Sequence, residues 1–227
     1  MDLTEQRVLA FAPAHNSHGK RDATAAFIPE ANRLVKAAGG GAVDLFDNRK
    51  PMARRRREVL AALALAKDQD FTSVAFLCHG WEDGIQAGFN RRTVGQLAKA
   101  IQDVVQHSFT TVPLLCCSTG DDPTDQWRTG AGGDGSFADR LRDGLCDSGA
   151  IYCRVWAHTT KGHTTRNPNV MILDGLGTPE GGVGGQMVAR AGTPLFRKLK
   201  KALWAKRGDF RFRAPYMTRQ AIMAEVT

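Results

Sequence analysis

The chain is short of several things, and each shortage removes a class of function. No stretch comes near the roughly 18 uninterrupted apolar residues that a spanning helix needs, and the start, Met1-Asp2-Leu3-Thr4-Glu5-Gln6-Arg7, lacks the apolar core of a signal peptide. A cytoplasmic protein with no membrane partner is therefore expected. Cysteine is sparse, with five in 227 residues, an odd number and none in a CxxC pair. Disulfide scaffolding and a zinc knuckle are disfavoured, and reduced thiols are expected. Aromatics make up only 7%, with no interleaved basic–aromatic platform, so nucleic acid is an unfavoured partner. The glycine-rich stretch Gly175-Leu176-Gly177 to Gly184-Gly185 has neither GxGxxG spacing nor a terminal Lys-Ser/Thr, so it reads as a loop rather than a phosphate cradle. There is no HExxH, no G-x-S-x-G elbow and no internal repeat.

What is present is a series of short apolar runs separated by helical periodicity. Arg7–Ala12, Ala42–Phe46, Thr72–Cys78, Thr111–Cys116 and Ala150–Ala157 read as buried strands, with Val170–Leu173 as a weaker sixth. Helices are expected between them: one opened by Asp22 and limited by Pro29, one from Met52 to about Lys67, one capped by Thr93 and one capped by Ser136. Alternating strands and helices predict an α/β fold, a doubly wound, mostly parallel sheet of about five to six strands with helices on both faces. The whole chain reads as a single domain, with 42% hydrophobic residues to fill its core. A basic segment from about 190 to 227 ends it. The net charge of +8 gathers there and in Arg54-Arg55-Arg56-Arg57. A solvated face explains these clusters more simply than an acidic partner does.

Two of the strands end in chemistry. Phe76-Leu77-Cys78 runs into His79-Gly80, and Leu114-Leu115-Cys116 runs into Cys117-Ser118-Thr119-Gly120. In an open parallel sheet, ligands bind at the carboxyl ends of the strands. A Cys and a His there can work as nucleophile and base, the imidazole taking the thiol proton and later protonating the leaving amine. Each residue taken singly reads better as core; together at strand tips they read as a site. Strand alternation sends Cys116 and Cys117 to opposite faces.

The two blocks resemble those of the caspase-like (clan CD) cysteine peptidases, in which a strand runs into His-Gly and the next core strand ends in a small residue followed by Cys. Cys117-Ser118-Thr119-Gly120 is particularly similar to the form found in bacterial CHAT-type proteases, with Cys116 where Ala is usual. The resemblance spans residues 7 to 160 as a pattern. It implies a caspase-like fold and a cysteine endopeptidase acting on a protein or peptide through an acyl-enzyme. His79 would be base and acid, Cys117 the nucleophile, and the Gly80 and Cys117 amides the oxyanion donors. It needs no cofactor or metal.

Further candidates surround the dyad. The loop His158-Thr159-Thr160-Lys161-Gly162-His163 follows the fifth strand and resembles a specificity loop of that family. His15, after the first strand, would face the same edge. Asp121 and Asp122 follow the Cys117 turn, where an acidic pocket would favour Arg or Lys before the scissile bond, and turn chemistry before Pro123 is the plainer account. Glu82 and Asp83 could orient substrate or cap. A metal held by His15, His18, His158 and His163 lacks an acidic ligand or thiol at zinc spacing. Two other readings stay open: a non-catalytic caspase-like protein binding an acidic partner, and another α/β hydrolase using His15 and His163.

Overall fold

The computed structural model describes residues 6–16, 19–21, 27–121, 135–150, 152–161, 167, 170–174, 186–187, 197, 201–202 and 224–225. His18, Asp122, His163 and the glycine-rich stretch from Gly175 to Gly185 lie outside these. So does most of the basic C-terminal segment.

The strands are β1 (Val8–Pro13), β2 (Gly41–Phe46), β3 (Ser73–Phe76), β4 (Gly80–Trp81), β5 (Gly84–Ile85), β6 (Phe89–Asn90), β7 (Thr111–Leu114), β8 (Arg154–His158), β9 (Val170–Asp174) and β10 (Gln186–Met187). The helices are α1 (Ile28–Ala37), α2 (Met52–Leu65), α3 (Val94–Val105) and α4 (Phe137–Asp147). The main sheet has the order β10-β9-β8-β7-β3-β1-β2. β2, β1, β3, β7 and β8 are mutually parallel, while β9 runs antiparallel to β8 and β10 antiparallel to β9. A mostly parallel α/β sheet follows from strands that are apolar on both faces, since β1, β3, β7 and β8 are buried throughout.

Helices cover both faces. On one, α1 lays Ala31 and Leu34 over Val8, Ala10, Ala12, Ala75 and Leu77. On the other, α2, α3 and α4 bury Val59, Leu63, Leu97, Ile101, Leu141 and Leu145 against Leu9, Phe11, Phe76, Val112 and Val155. Phe11 and Phe76 stack at 5.2 Å across β1 and β3, a contact worth about 0.5–1.5 kcal/mol beyond its buried area.

Some boundaries differ from the sequence expectation, each for a local reason. The described helix α1 is Ile28–Ala37, with Pro29 in its first turn, where proline is tolerated; Asp22, expected to open it, lies outside the described residues. Thr93 holds the N-cap position of α3 without a side-chain cap bond; its hydroxyl instead accepts from the N–H of Asn90 at 2.9 Å. Ser136 does cap α4, its Oγ accepting from the N–H of Asp139 at 3.1 Å. β8 starts at Arg154 and runs through His158, one residue beyond Ala157, because pairing with Val170 of β9 extends it. The segment after His79, expected as a loop, is the small antiparallel sheet β4-β5-β6. At Gly41 a Cβ would lie 2.0 Å from the carbonyl oxygen of Val8, and φ is +136°, so only glycine starts β2 here.

Candidate active site

The order β2-β1-β3-β7-β8 reverses direction between β1 and β3, which makes the carboxyl ends of those strands the switch point where α/β sheets bind ligands. His79 follows β3 at this edge, and Cys117 follows β7, the next strand over.

The two tips touch through Gly80. A Cβ placed there would stand 2.7 Å from Cys116 Cβ, 2.8 Å from the Cys117 carbonyl oxygen and 2.9 Å from Thr119 Cγ2. Glycine is required for this approach rather than for its φ. His79 is thus chain neighbour to a residue packed directly on the Cys117 turn.

Each tip is fixed by its own bonds. His79 donates its N–H to Gln86 Oε1 at 3.3 Å, and its carbonyl accepts from the Gln86 N–H at 2.8 Å. That second bond makes Gly80 and Ile85 a non-hydrogen-bonded pair, so the Gly80 N–H points away from β5. Arg55 in turn donates to the Gln86 carbonyl at 3.1 Å. The His79 ring meets the edge of Phe27 at 5.0 Å. The residue is exposed on its other side, and the partial desolvation that remains holds its pKa below the ordinary histidine value, which favours the neutral imidazole that can accept a proton.

On the other tip Ser118 adopts a left-handed backbone, φ +54°, uncommon for a residue with a side chain. Hydrogen bonds on both sides hold that turn. Ser118 N–H donates to Thr160 O at 3.2 Å, Gly120 N–H to His158 O at 2.9 Å and Asp121 N–H to Ser118 O at 3.0 Å. Thr119 Oγ1 donates to Cys116 O at 3.1 Å.

The neighbouring thiols have different surroundings. Cys116 is 1% exposed, its Sγ lies 3.6 Å from Cys78 Sγ, and burial pushes its pKa well up. Cys117 is only half-buried. A thiol that must ionise and meet a substrate needs the second environment.

Comparison of the chain with family models, curated proteins and solved structures returned no match.

The flanking candidates fall in different places. His158 was expected to line the substrate pocket, and its ring is instead enclosed, 2% exposed, because β8 carries it into the sheet opposite Val170. Burial pushes its pKa down to about 4. Only its backbone reaches the site, as acceptor for Gly120. His15 is turned to the end of β2: its Nε2 lies 3.5 Å from Asp47 Oδ1, and its backbone exchanges two 2.9 Å bonds with the Asn48 amide. Asp121 closes the Cys117 turn and is half-buried, while Asp122 and His163 lie outside the described residues. Glu82 contributes a backbone carbonyl, accepting from Phe137 N–H at 3.0 Å, and the Asp83 carbonyl accepts from Arg91 N–H at 3.0 Å. No group of three or more potential metal ligands occurs among the described residues.

Sequence reasoning missed Gln86, Arg55 and Phe27. Nothing in the pattern marks Gln86 or Phe27. Arg55 lay in the run taken for a solvated face, yet Arg55 and Arg56 bond the carbonyls of Lys50, Gln86 and Gly88. Half of that run is structural.

Proposed function

We propose that the protein is a cysteine endopeptidase in which Cys117 attacks the scissile carbonyl and His79 is its general base and acid. The observation that carries this reading is the seating of Gly80 on the Cys116–Thr119 turn. It brings an exposed His and a half-buried Cys to adjoining strand tips at the carboxyl edge of the sheet.

In the proposed reaction, His79 takes the Cys117 proton as Sγ bonds to the carbonyl carbon. The oxyanion is met by backbone N–H groups, with Gly80, turned away from its own ladder, as one donor and Cys117 as the second. Protonated His79 then gives its proton to the leaving amine, an acyl-enzyme remains, and water activated by the same imidazole releases the acid. The resemblance of His79-Gly80 and Cys117-Ser118-Thr119-Gly120 to the caspase-like blocks supports a peptide as substrate, and a caspase-like variant of the mostly parallel sheet. Asp121, which closes the Cys117 turn, is the acidic residue that would favour a basic side chain before the cleaved bond.

The test is labelling by a peptidyl chloromethyl ketone with Arg at its reactive end, read by mass spectrometry of the modified peptide. Cys117→Ala should abolish labelling, and His79→Ala should slow it by about 10²–10⁴-fold. Labelling that persists in the Cys117 variant or moves to Cys116 overturns the assignment. A non-catalytic protein of this fold would show neither labelling nor a His79 effect.

A further inference from the structure

Two pairs of thiols stand at near-bonding separation outside the proposed catalytic step, and they differ in one respect. Cys78 and Cys116 have their Sγ atoms 3.6 Å apart, but both are enclosed beneath the strand tips, 0% and 1% exposed. Cys146 and Cys153 have theirs 3.5 Å apart, and Cys146 is only half-buried. Cys146 lies in the last turn of α4 and Cys153 just before β8.

The connection between them is already shaped for closure. Gly149, φ +104°, donates its N–H to Cys146 O at 3.0 Å, and Ala150 N–H donates to Leu145 O at 2.9 Å. Cys153 N–H donates to Ala150 O at 2.9 Å, and Cys153 Sγ reaches Arg142 O at 3.6 Å. The backbone thus holds both side chains in place. A disulfide needs the sulfurs at about 2.05 Å, so the two must approach by roughly 1.5 Å.

We infer that Cys146 and Cys153 form a reversible redox site, oxidised to an intramolecular disulfide by hydroperoxides in preference to the Cys78–Cys116 pair. Cys146 is the attacking thiol because it is the half-buried member of the pair, whereas Cys153 is fully enclosed; the contact with Cys153 and then the Arg142 guanidinium also hold its pKa below the ordinary value. Its thiolate forms an S–O bond to the terminal oxygen of the hydroperoxide as the O–O bond breaks, leaving a sulfenic acid on Cys146, and the displaced alkoxide, or hydroxide from hydrogen peroxide, takes up the proton that the thiol gave up and leaves as alcohol or water. The Cys153 sulfur then attacks the Cys146 sulfur, its proton leaves with the hydroxyl as water, and the S–S bond forms. A dithiol reductant returns both thiols. The site is independent of the peptidase reading.

The chain offers a direct measurement, since cleavage after Arg142 and after Arg154 releases one peptide, Asp143–Arg154, carrying both cysteines. The reduced full-length protein is titrated with hydrogen peroxide, quenched with iodoacetamide and digested without reductant. The expected result is a peptide lighter by two hydrogens and closed to alkylation, formed at about tenfold lower peroxide than any Cys78–Cys116 cross-link. Dithiothreitol added before the quench restores double alkylation. In Cys153→Ser, dimedone should trap a sulfenic acid on Cys146; in Cys146→Ser, Cys153 should stay unmodified. The inference is overturned if the wild-type peptide remains doubly alkylated while Cys117 oxidises. It is equally overturned if Cys146 passes to sulfinic acid with Cys153 still open to alkylation.

Discussion

Gly80 shows how one missing methyl sets the distance between two strand tips. The three atoms that a Cβ would meet there, at 2.7, 2.8 and 2.9 Å, include a backbone carbonyl and the Cβ of a fully enclosed cysteine. Neither can swing aside as a flexible side-chain end would. Gly80→Ala should therefore destabilise the protein by about 1–3 kcal/mol, lowering Tm by roughly 2–4 °C per kcal/mol for a chain of this size. Electrophile labelling at Cys117 should fall as well, since relief of the clash moves the tips apart. Unchanged Tm and labelling rate would show that the contact is not tight in solution. At this scale the sequence was partly legible. His79-Gly80 and Cys117 could be picked out because reactive residues followed apolar runs. Alternation separated Cys116 from Cys117, and their burial now separates them physically. The Gln86 clamp on His79 was not legible, because a backbone bond to an amide leaves no mark in a sequence pattern.

Among the elements, α4 bears most directly on the site, because the loops it meets complete its N-terminus. The N–H groups of its first residues have no partners within the helix. Phe137 donates to Glu82 O at 3.0 Å and Ala138 to Thr119 O at 2.9 Å, while Asp139 donates to Ser136 Oγ. The His79 hairpin and the Cys117 turn are thereby tied to one helix start. Ser136→Ala should cost about 1 kcal/mol and Ser136→Gly only a few tenths, both read from urea unfolding. Equal losses for the two would show that the hydroxyl bond is not what Ser136 contributes. The cap was readable from Ser136 standing before a periodic helix, but its coupling to Glu82 and Thr119 is tertiary and was not. The same division holds elsewhere. β1, β3 and β7 announced themselves as apolar runs, whereas β4-β5-β6 consists of two-residue strands with no periodicity to detect. The antiparallel direction of β9 follows from spacing: residues 159–169 leave little room for the crossover that a parallel strand needs.

For the molecule as a whole, the buried imidazole of His158 gives stability a definite dependence on pH. His158 is 2% exposed, and burial outweighs the opposing hydrogen bond with the Asn167 side chain, so the charged form is disfavoured in the fold. The folded pKa is about 4, against about 6.5 in the unfolded chain. Between these values the unfolded state binds the proton and the folded state does not, so stability rises with pH across the window. The contribution is complete above about pH 6.5 and is lost as pH falls toward 4, a difference of roughly 3 kcal/mol from the 1.36 kcal/mol per pKa unit that linkage assigns. His79, whose pKa is also lowered by burial, adds in the same direction. Asp47 acts in a lower window. The Arg49 guanidinium hydrogen bond holds its pKa down to about 2, so its contribution fades only below about pH 4. Urea unfolding of the wild type at pH 7.5, 6 and 5 should therefore show a progressive fall in stability. His158→Gln removes the titrating group, and its curve should be much flatter over the same range even if it starts lower at pH 7.5. Parallel slopes for the two proteins between pH 6.5 and 4 would mean that His158 titrates in the fold much as it does in the open chain.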